Sequence, residues 1–276
     1  MKKIISLLSI ALIAISCSDT DPETPASNSG PVSATQTQYD NFGNIESINV
    51  FEYQNGKPDT FSFYTAENEL EFYQKFFYSD GKVNKIIGYT ATDAVSGQAE
   101  YFYDSQQRLY KITTGGESYS EQTLFTYNGD GSITGVATSS DGYTEEKTWL
   151  VNANGYIYKE IDDNSSYELA FDGATGNPLT GTYSSGGVKS FVYDTEHDFY
   201  LTGIQPEFGT YKPNQVLQSF YLEDSETSLA NKFVTKELNN GVVSRVYDME
   251  FDSSGRLSSS KTIAGGNLIS EMVYQY

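Results

Sequence analysis

One cysteine, one histidine and one tryptophan in 276 residues leave little for catalysis to use. With His197 as the sole histidine, multi-histidine zinc or iron sites are excluded, and any serine triad would need His197 as its base. Its surroundings, Asp194-Thr195-Glu196-His197-Asp198, read as a hairpin loop with no strand-turn-helix elbow for a nucleophile. If Cys17 is acylated, no thiol remains for a disulfide, a thiolate metal site or a covalent intermediate. The domain must then hold by burial alone, which a chain of about 240 residues can do. Cations are also scarce, 17 against 37 acids, for a formal charge of −20. Polyphosphate would be repelled, so nucleic acid is not an expected partner. No cofactor or metal is expected. Asp162-Asp163-Asn164 and Asn152-Ala153-Asn154-Gly155 lack the twelve-residue calcium pattern and read as turns.

The one apolar run, Ile4 to Ile15, follows Lys2 and Lys3 and is too short to span a bilayer. It has the layout of an export signal over residues 1–16, with Cys17 at the position a lipid would modify. An ordinary secretory signal with an incidental cysteine is the alternative. Removing residues 1–16 removes two lysines and no acid, taking the charge from −20 to −22. Residues 17–37 are rich in Ser, Thr, Asp and Pro and read as a disordered tether of roughly 25 Å reach.

What is abundant is tyrosine and phenylalanine, 23 and 16 residues, set in a repeat. An aromatic residue is followed by a glycine or its stand-in and then an aliphatic one, as in Phe125-Thr126-Tyr127-Asn128-Gly129-Asp130-Gly131-Ser132-Ile133. Aromatics at alternate positions share one strand face, and Asn, Asp and Gly supply the turn. The anchors fall at Tyr39, Tyr64, Tyr78, Tyr103, Tyr127, Val151, Phe171, Tyr193, Phe251 and Tyr274. Asn68 and Gln107 stand where other units have glycine, and the unit with Gln107 is expected to turn differently. Ten hairpins predict on the order of 18 to 20 strands over residues 38–276, an all-β antiparallel meander. An open, strongly curved sheet is the favoured form, with a large barrel or a spiral of hairpins as alternatives. The aliphatic pairs Leu109 and Ile112, and Ile133 and Val136, are three apart, so either a β-bulge or burial of both faces must accommodate them. Residues 205–240 break the period and read mostly as strand, with Leu229 and Phe233 able to share a short helix.

Tyr103-Asp104-Ser105-Gln106-Gln107-Arg108-Leu109 and Phe251 to Leu257 resemble the tyrosine-aspartate repeats of the rearrangement-hot-spot family, which builds long β-ribbons. Toxin-wrapping members are far longer, and with no cargo domain expected after Tyr276, encapsulation does not carry over. A signal-bearing chain with such repeats is similar to the Bacteroidetes-type lipoproteins of unknown function with a porin-like fold. In that context Ser18, Asp19 and Asp21 resemble the acidic tag that directs such lipoproteins to the cell surface; a solvated acidic linker is the plain alternative.

The expectation is a non-enzymatic lipoprotein anchored to the outer membrane through Cys17, exposed on the surface, binding a polysaccharide or a protein. The alternative is a periplasm-facing carrier or assembly factor holding an apolar ligand on the concave sheet. Tyr143, Tyr156, Tyr158 and Tyr183 lie off the anchor stripe and are open to a binding role. A glycan-acting enzyme would need two converging carboxylates. An integral membrane barrel is disfavoured because strands long enough to span, such as Val242 to Phe251, are interrupted by Arg245.

Overall fold

The computed structural model describes residues 30–116, 118–198, 212–222, 230 and 232–276. Its first six strands are β1 (Ser33–Tyr39), β2 (Ile45–Gln54), β3 (Lys57–Thr65), β4 (Leu70–Ser79), β5 (Lys82–Thr90) and β6 (Val95–Tyr103). The next six are β7 (Leu109–Gly115), β8 (Ser120–Tyr127), β9 (Ile133–Ser139), β10 (Thr144–Val151), β11 (Ile157–Ile161) and β12 (Ser166–Phe171). Then come β13 (Pro178–Tyr183), β14 (Val188–Asp198), the helical turn α1 (Asn214–Leu217), β15 (Lys232–Asn239), β16 (Val242–Phe251), β17 (Leu257–Ala264) and β18 (Asn267–Gln275). Each strand pairs antiparallel with the next, and β18 returns to β1 with Tyr274 opposite Ala34. The sheet is therefore a closed barrel of 18 strands, not the open curved sheet that the sequence favoured. Closure removes the two long unpaired edges an open meander would expose. The first strand starts at Ser33, inside the stretch read as tether.

The turns explain how the repeat works. In the β6–β7 turn the Asp104 carboxylate accepts the backbone N–H groups of Gln106 (2.8 Å) and Arg108 (3.0 Å), and its other oxygen accepts Arg108 Nε at 2.7 Å. The β16–β17 turn repeats this with Asp252, Ser254 and Arg256 at 2.8, 3.0 and 2.8 Å. Gly255 has φ +78° and Gln107 has φ +65°, so the unit lacking glycine turns the same way. A left-handed residue with a Cβ costs about 1–2 kcal/mol. Gln107 is fixed there by its partners: Asn214 Nδ2 donates to its carbonyl at 2.9 Å, and Lys82 Nζ reaches its side-chain oxygen.

After the β6–β7 turn a bulge places Leu109 opposite Tyr103 and Ile112 opposite Tyr101, so both aliphatic residues face inward. The β8–β9 hairpin has no bulge. Ile133, Gly135 and Ala137 face inward there, and Val136 lies on the outer wall opposite Leu124. The expected bulge therefore occurs at Leu109 and Ile112, whereas Ile133 and Val136 simply take opposite faces, with Val136 half-buried on the outer wall and no burial of both faces.

Burial concentrates on the inner face. One cluster joins Val83, Tyr101, Leu109, Phe125, Ile133, Trp149, Ile157 and Leu169 to Val216, Leu217 and Leu222 of the segment between β14 and β15. A second centres on Ala34, Phe51 and Phe61, and a third on Phe233 and Leu257. Across the outer wall run cross-strand ion pairs, Lys85–Glu100 at 3.2 Å, Lys159–Glu168 at 2.7 Å and Lys261–Glu271 at 3.6 Å. Among the described residues no helix is long and apolar enough to cross a membrane.

Candidate functional site

The two rims of the barrel differ. The near rim holds the start of β1, the end of β18 and the turns that lead from even to odd strands. There the last aromatic of several even strands sends its hydroxyl inward to a carbonyl of the preceding odd strand. Tyr78 donates to Pro58 (2.7 Å), Tyr103 to Val83 (2.8 Å), Tyr127 to Leu109 (2.7 Å), and Tyr193 reaches Pro178 likewise. Four cations lie over such tyrosine rings: Lys57 over Tyr78, Lys82 over Tyr103, Arg108 over Tyr127 and Arg256 over Tyr276. The anchors Tyr39 and Tyr64 sit instead at the far rim. The far-rim turns carry Asp40, Glu67, Glu69, Asp93, Asp141, Asp162 and Asp163, and no lysine or arginine occurs among their described residues.

Residues 212–222 enter the near end of the barrel as a plug. Asn214 is fully buried, accepts the Leu109 N–H at 2.8 Å and donates to the Gln107 carbonyl. Deeper, Lys147 is 1% exposed and donates to Glu160 and to the Phe220 carbonyl, each at 3.1 Å, with its ammonium 3.3 Å from the Tyr221 ring centre. The second Glu160 oxygen accepts Trp149 Nε1 at 3.0 Å and the Leu222 N–H at 2.7 Å. A buried ion pair of this kind survives only because every remaining donor and acceptor is used. Lys212 lies over Tyr156 at 3.9 Å.

The plug fills the side of the lumen walled by β5 to β13. The opposite wall follows one hydrogen-bonded register: Ser260 opposite Met272, Met272 opposite Gln36, Gln36 opposite Asn49, Asn49 opposite Phe63, Phe63 opposite Phe72. One row further toward the far rim lie Thr262, Ser270, Gln38 and Ser47. Gln36 accepts Asn49 Nδ2 at 3.0 Å, and Gln38 accepts the Ser47 hydroxyl at 3.1 Å. Phe63 and Phe72 stack at 5.2 Å with planes 10° apart. Gln36, Gln38, Phe63, Phe72, Phe76, Ser260, Ser270 and Met272 are only half-buried although they point inward. Solvent therefore reaches the lumen beside them.

Several sequence expectations change. Tyr156 is buried, and Tyr183 packs inside on Tyr167 with ring centres 4.7 Å apart, because their strands turn them into the core. Neither is available as an outer contact. Tyr143 is 60% exposed at the far rim, and Tyr158 is half-buried. His197 is not in a hairpin loop: it lies in β14, one residue before the strand ends, its Nδ1 3.0 Å from Asp194 and its ring stacked on Phe251 at 3.7 Å. Arg245 faces inward opposite Glu237, 3.3 Å away, so on β16 it is Asp248 and Glu250 that charge the outer wall. Phe233 lies in β15, the helical turn is at Asn214–Leu217, and Leu229 is outside the described residues. Asp162 and Asn152 spend their side-chain oxygens on turn N–H groups. Cys17, Ser18, Asp19 and Asp21 lie outside the described residues. Sequence reasoning missed the plug and the lumen wall. The break in period over residues 205–240 marked the first, but nothing local marked the second.

No family model matches the chain, and no curated protein matches it in sequence. Among solved structures it is similar to a porin-like protein from Bacteroides uniformis, with TM-score 0.46 and 10% identity over 89% of this chain and 97% of that one. It is also similar to a porin-like protein from Bacteroides vulgatus, with TM-score 0.31 and 12% identity over 89% of this chain and 98% of that one.

Proposed function

We propose that the protein is a non-enzymatic lipoprotein, held at the outer membrane through Cys17, whose barrel stands in water at the cell surface and binds a polysaccharide or protein. What supports this reading is the distribution of charge on the wall. Lys85, Lys159 and Lys261 sit on outer faces in cross-strand ion pairs. Each lysine facing lipid near the midplane would cost about 2–4 kcal/mol. Strands β11, β12 and β13 have 5, 6 and 6 residues, short of the roughly 9 to 11 that a spanning strand needs. The described chain begins at Gly30 on the near rim, where the Val32 N–H donates to Gln275, so the tether leaves from the plugged end.

A second reading, the periplasmic carrier of an apolar ligand, draws on the half-buried Phe63, Phe72, Phe76 and Met272 of the inner wall.

The test is fractionation and protease accessibility on intact cells, using the wild type, Cys17→Ser, and Asp19→Ala with Asp21→Ala. A water-facing barrel on a lipid leaves the membrane fraction when Cys17 is replaced; an integral barrel stays. Digestion of the wild type with protection of the double variant supports surface display. Protection of both until lysis favours the carrier.

A further inference from the structure

We infer that the side of the lumen away from the described plug, where the Phe63–Phe72 stack adjoins the Gln36–Asn49 and Gln38–Ser47 pairs on one wall, is a binding site for a neutral saccharide. The inference rests on the binding reading above and gives its ligand a chemical class.

Two independent observations carry it. The first is the composition of the wall. Along β17, β18, β1, β2, β3 and β4 no charged side chain faces the lumen between the rims. What faces it is an aromatic stack flanked by Phe51, Phe61, Phe76 and Met272, three glutamines (Gln36, Gln38 and the buried Gln74), an asparagine and the hydroxyls of Ser47, Ser260, Thr262 and Ser270. A pyranose ring has that complementarity: a face of C–H groups for an aromatic ring, and an edge of hydroxyls that both donate and accept. Amide side chains answer both roles. A fatty acyl chain would strand the amides, and an anion finds no cation on this wall.

The second is where unpaired polar atoms lie. Among the described residues, the two buried side-chain atoms without a hydrogen-bond partner are Asn49 Oδ1 and the Tyr53 hydroxyl, both on the inner face of β2. Asn49 is 5% exposed, and its amide nitrogen is already used by Gln36. A buried acceptor left unpaired costs about as much as a lost hydrogen bond, so it marks a place where a donor is wanted. The plugged side carries no such orphan among the described residues: Lys147, Glu160, Trp149 and Asn214 are all satisfied.

Access favours neutral ligands as well. The described plug enters at the near end, and at the far rim the described turns bear seven acids and no cation. Uronate or sulfated chains would be repelled on approach.

The experiment uses the full lipidated chain in nanodiscs, probed with neutral gluco-, manno-, galacto- and xylo-oligosaccharides, oligogalacturonate, and cis-parinaric acid as an apolar probe. The lumen variants are Phe72→Ala, Gln36→Ala and Gln38→Ala. The control is Phe77→Ser, on the outer face of the same strand as Phe72. Saturable binding of a neutral oligosaccharide is expected, weakened about tenfold or more by Gln36→Ala and Phe72→Ala and unchanged by Phe77→Ser. If Phe72→Ala does not fold, the two glutamine variants decide. The proposal is overturned if no neutral oligosaccharide binds, if oligogalacturonate or parinaric acid binds in its place, or if Phe77→Ser weakens binding as much as the lumen variants. Co-flotation of the same protein with vesicles reports the anchor separately, so loss of the ligand and loss of the tether are told apart.

Discussion

The Tyr127 hydroxyl donates to the backbone carbonyl of Leu109, 2.7 Å away and 18 residues earlier. These residues sit on neighbouring strands, at the end of β8 and the start of β7, both at the near rim. Tyr103 with Val83 and Tyr78 with Pro58 repeat the contact at 20 residues. The tyrosine of the repeat is thus a fastener as well as a core side chain, which phenylalanine could not be.

Replacing Tyr127 by Phe keeps the ring and removes the donor, leaving the Leu109 carbonyl short of a partner. A loss of roughly 1–2 kcal/mol is expected. Tyr143→Phe, at an exposed rim position, should stay within about 0.5 kcal/mol. Urea titrations of both variants check this; equal midpoints would refute the fastening role.

Gly181 faces inward opposite Leu169, and a Cβ there would land on the Tyr167 hydroxyl. Gly181→Ala should therefore overpack the core and cost about 1–3 kcal/mol. Gly135→Ala meets Trp149 at 2.6 Å and should behave alike. Adding Tyr167→Ala to Gly181→Ala should cost less than the sum of the two single changes, because the clash disappears. Additive losses in thermal denaturation would count against the packing account.

How much of this was readable beforehand depends on range. Asp104, Asp252 and their arginines fix local turns, so the hairpins and their number follow from residues a few positions apart. Closure does not, because the pairing of Ala34 with Tyr274 joins the two ends of the domain and no local signal encodes it. The plug escaped for a related reason. Asn214 looks like an ordinary loop residue, and its partners Leu109 and Gln107 lie more than a hundred positions away. The lumen wall is illegible at short range because Gln36, Asn49 and Met272 read singly as polar or apolar strand positions, and become one surface only once the register is known.

Acidity should act through the turns. Asp130 is held below the ordinary value of 3.8 by hydrogen bonds from Ser132, Asp162 by those from Ser165 and Asn164, and Asp172 by those from Thr175. A depressed carboxylate contributes stability that is present above pH 3.8 and lost as pH falls through the folded-state values. At the other end, burial raises the hydroxyls of Tyr53, Tyr101 and Tyr274 above 10.0. Their contribution is whole below pH 10.0 and is lost as pH climbs toward the raised values. Urea midpoints at constant salt should be nearly flat from about pH 5 to 9 and fall on both sides. A slope across neutrality would overturn this assignment.

The plug stands or falls with Glu160. One oxygen takes the Lys147 ammonium, the other takes Trp149 Nε1 and the Leu222 N–H, so a single carboxylate ties β10, β11 and the plug together. Glu160→Leu removes the nearer of the two carboxylates around Lys147, which is 1% exposed and keeps only Glu145 at 3.5 Å, and should cost about 3 kcal/mol. Glu160→Gln keeps the shape and one good acceptor while losing the charge, and should cost less. Because Trp149 is the only tryptophan and is fully buried between Phe220, 5.2 Å away, and Phe125, its emission reports on the packing of the plug against this wall. A red shift and easier quenching in Glu160→Leu at low urea, with the far-ultraviolet strand signal intact, is the expected outcome: the plug loosens before the barrel opens. Simultaneous loss of both signals would mean that plug and barrel form one cooperative unit, and that the near end cannot open without unfolding.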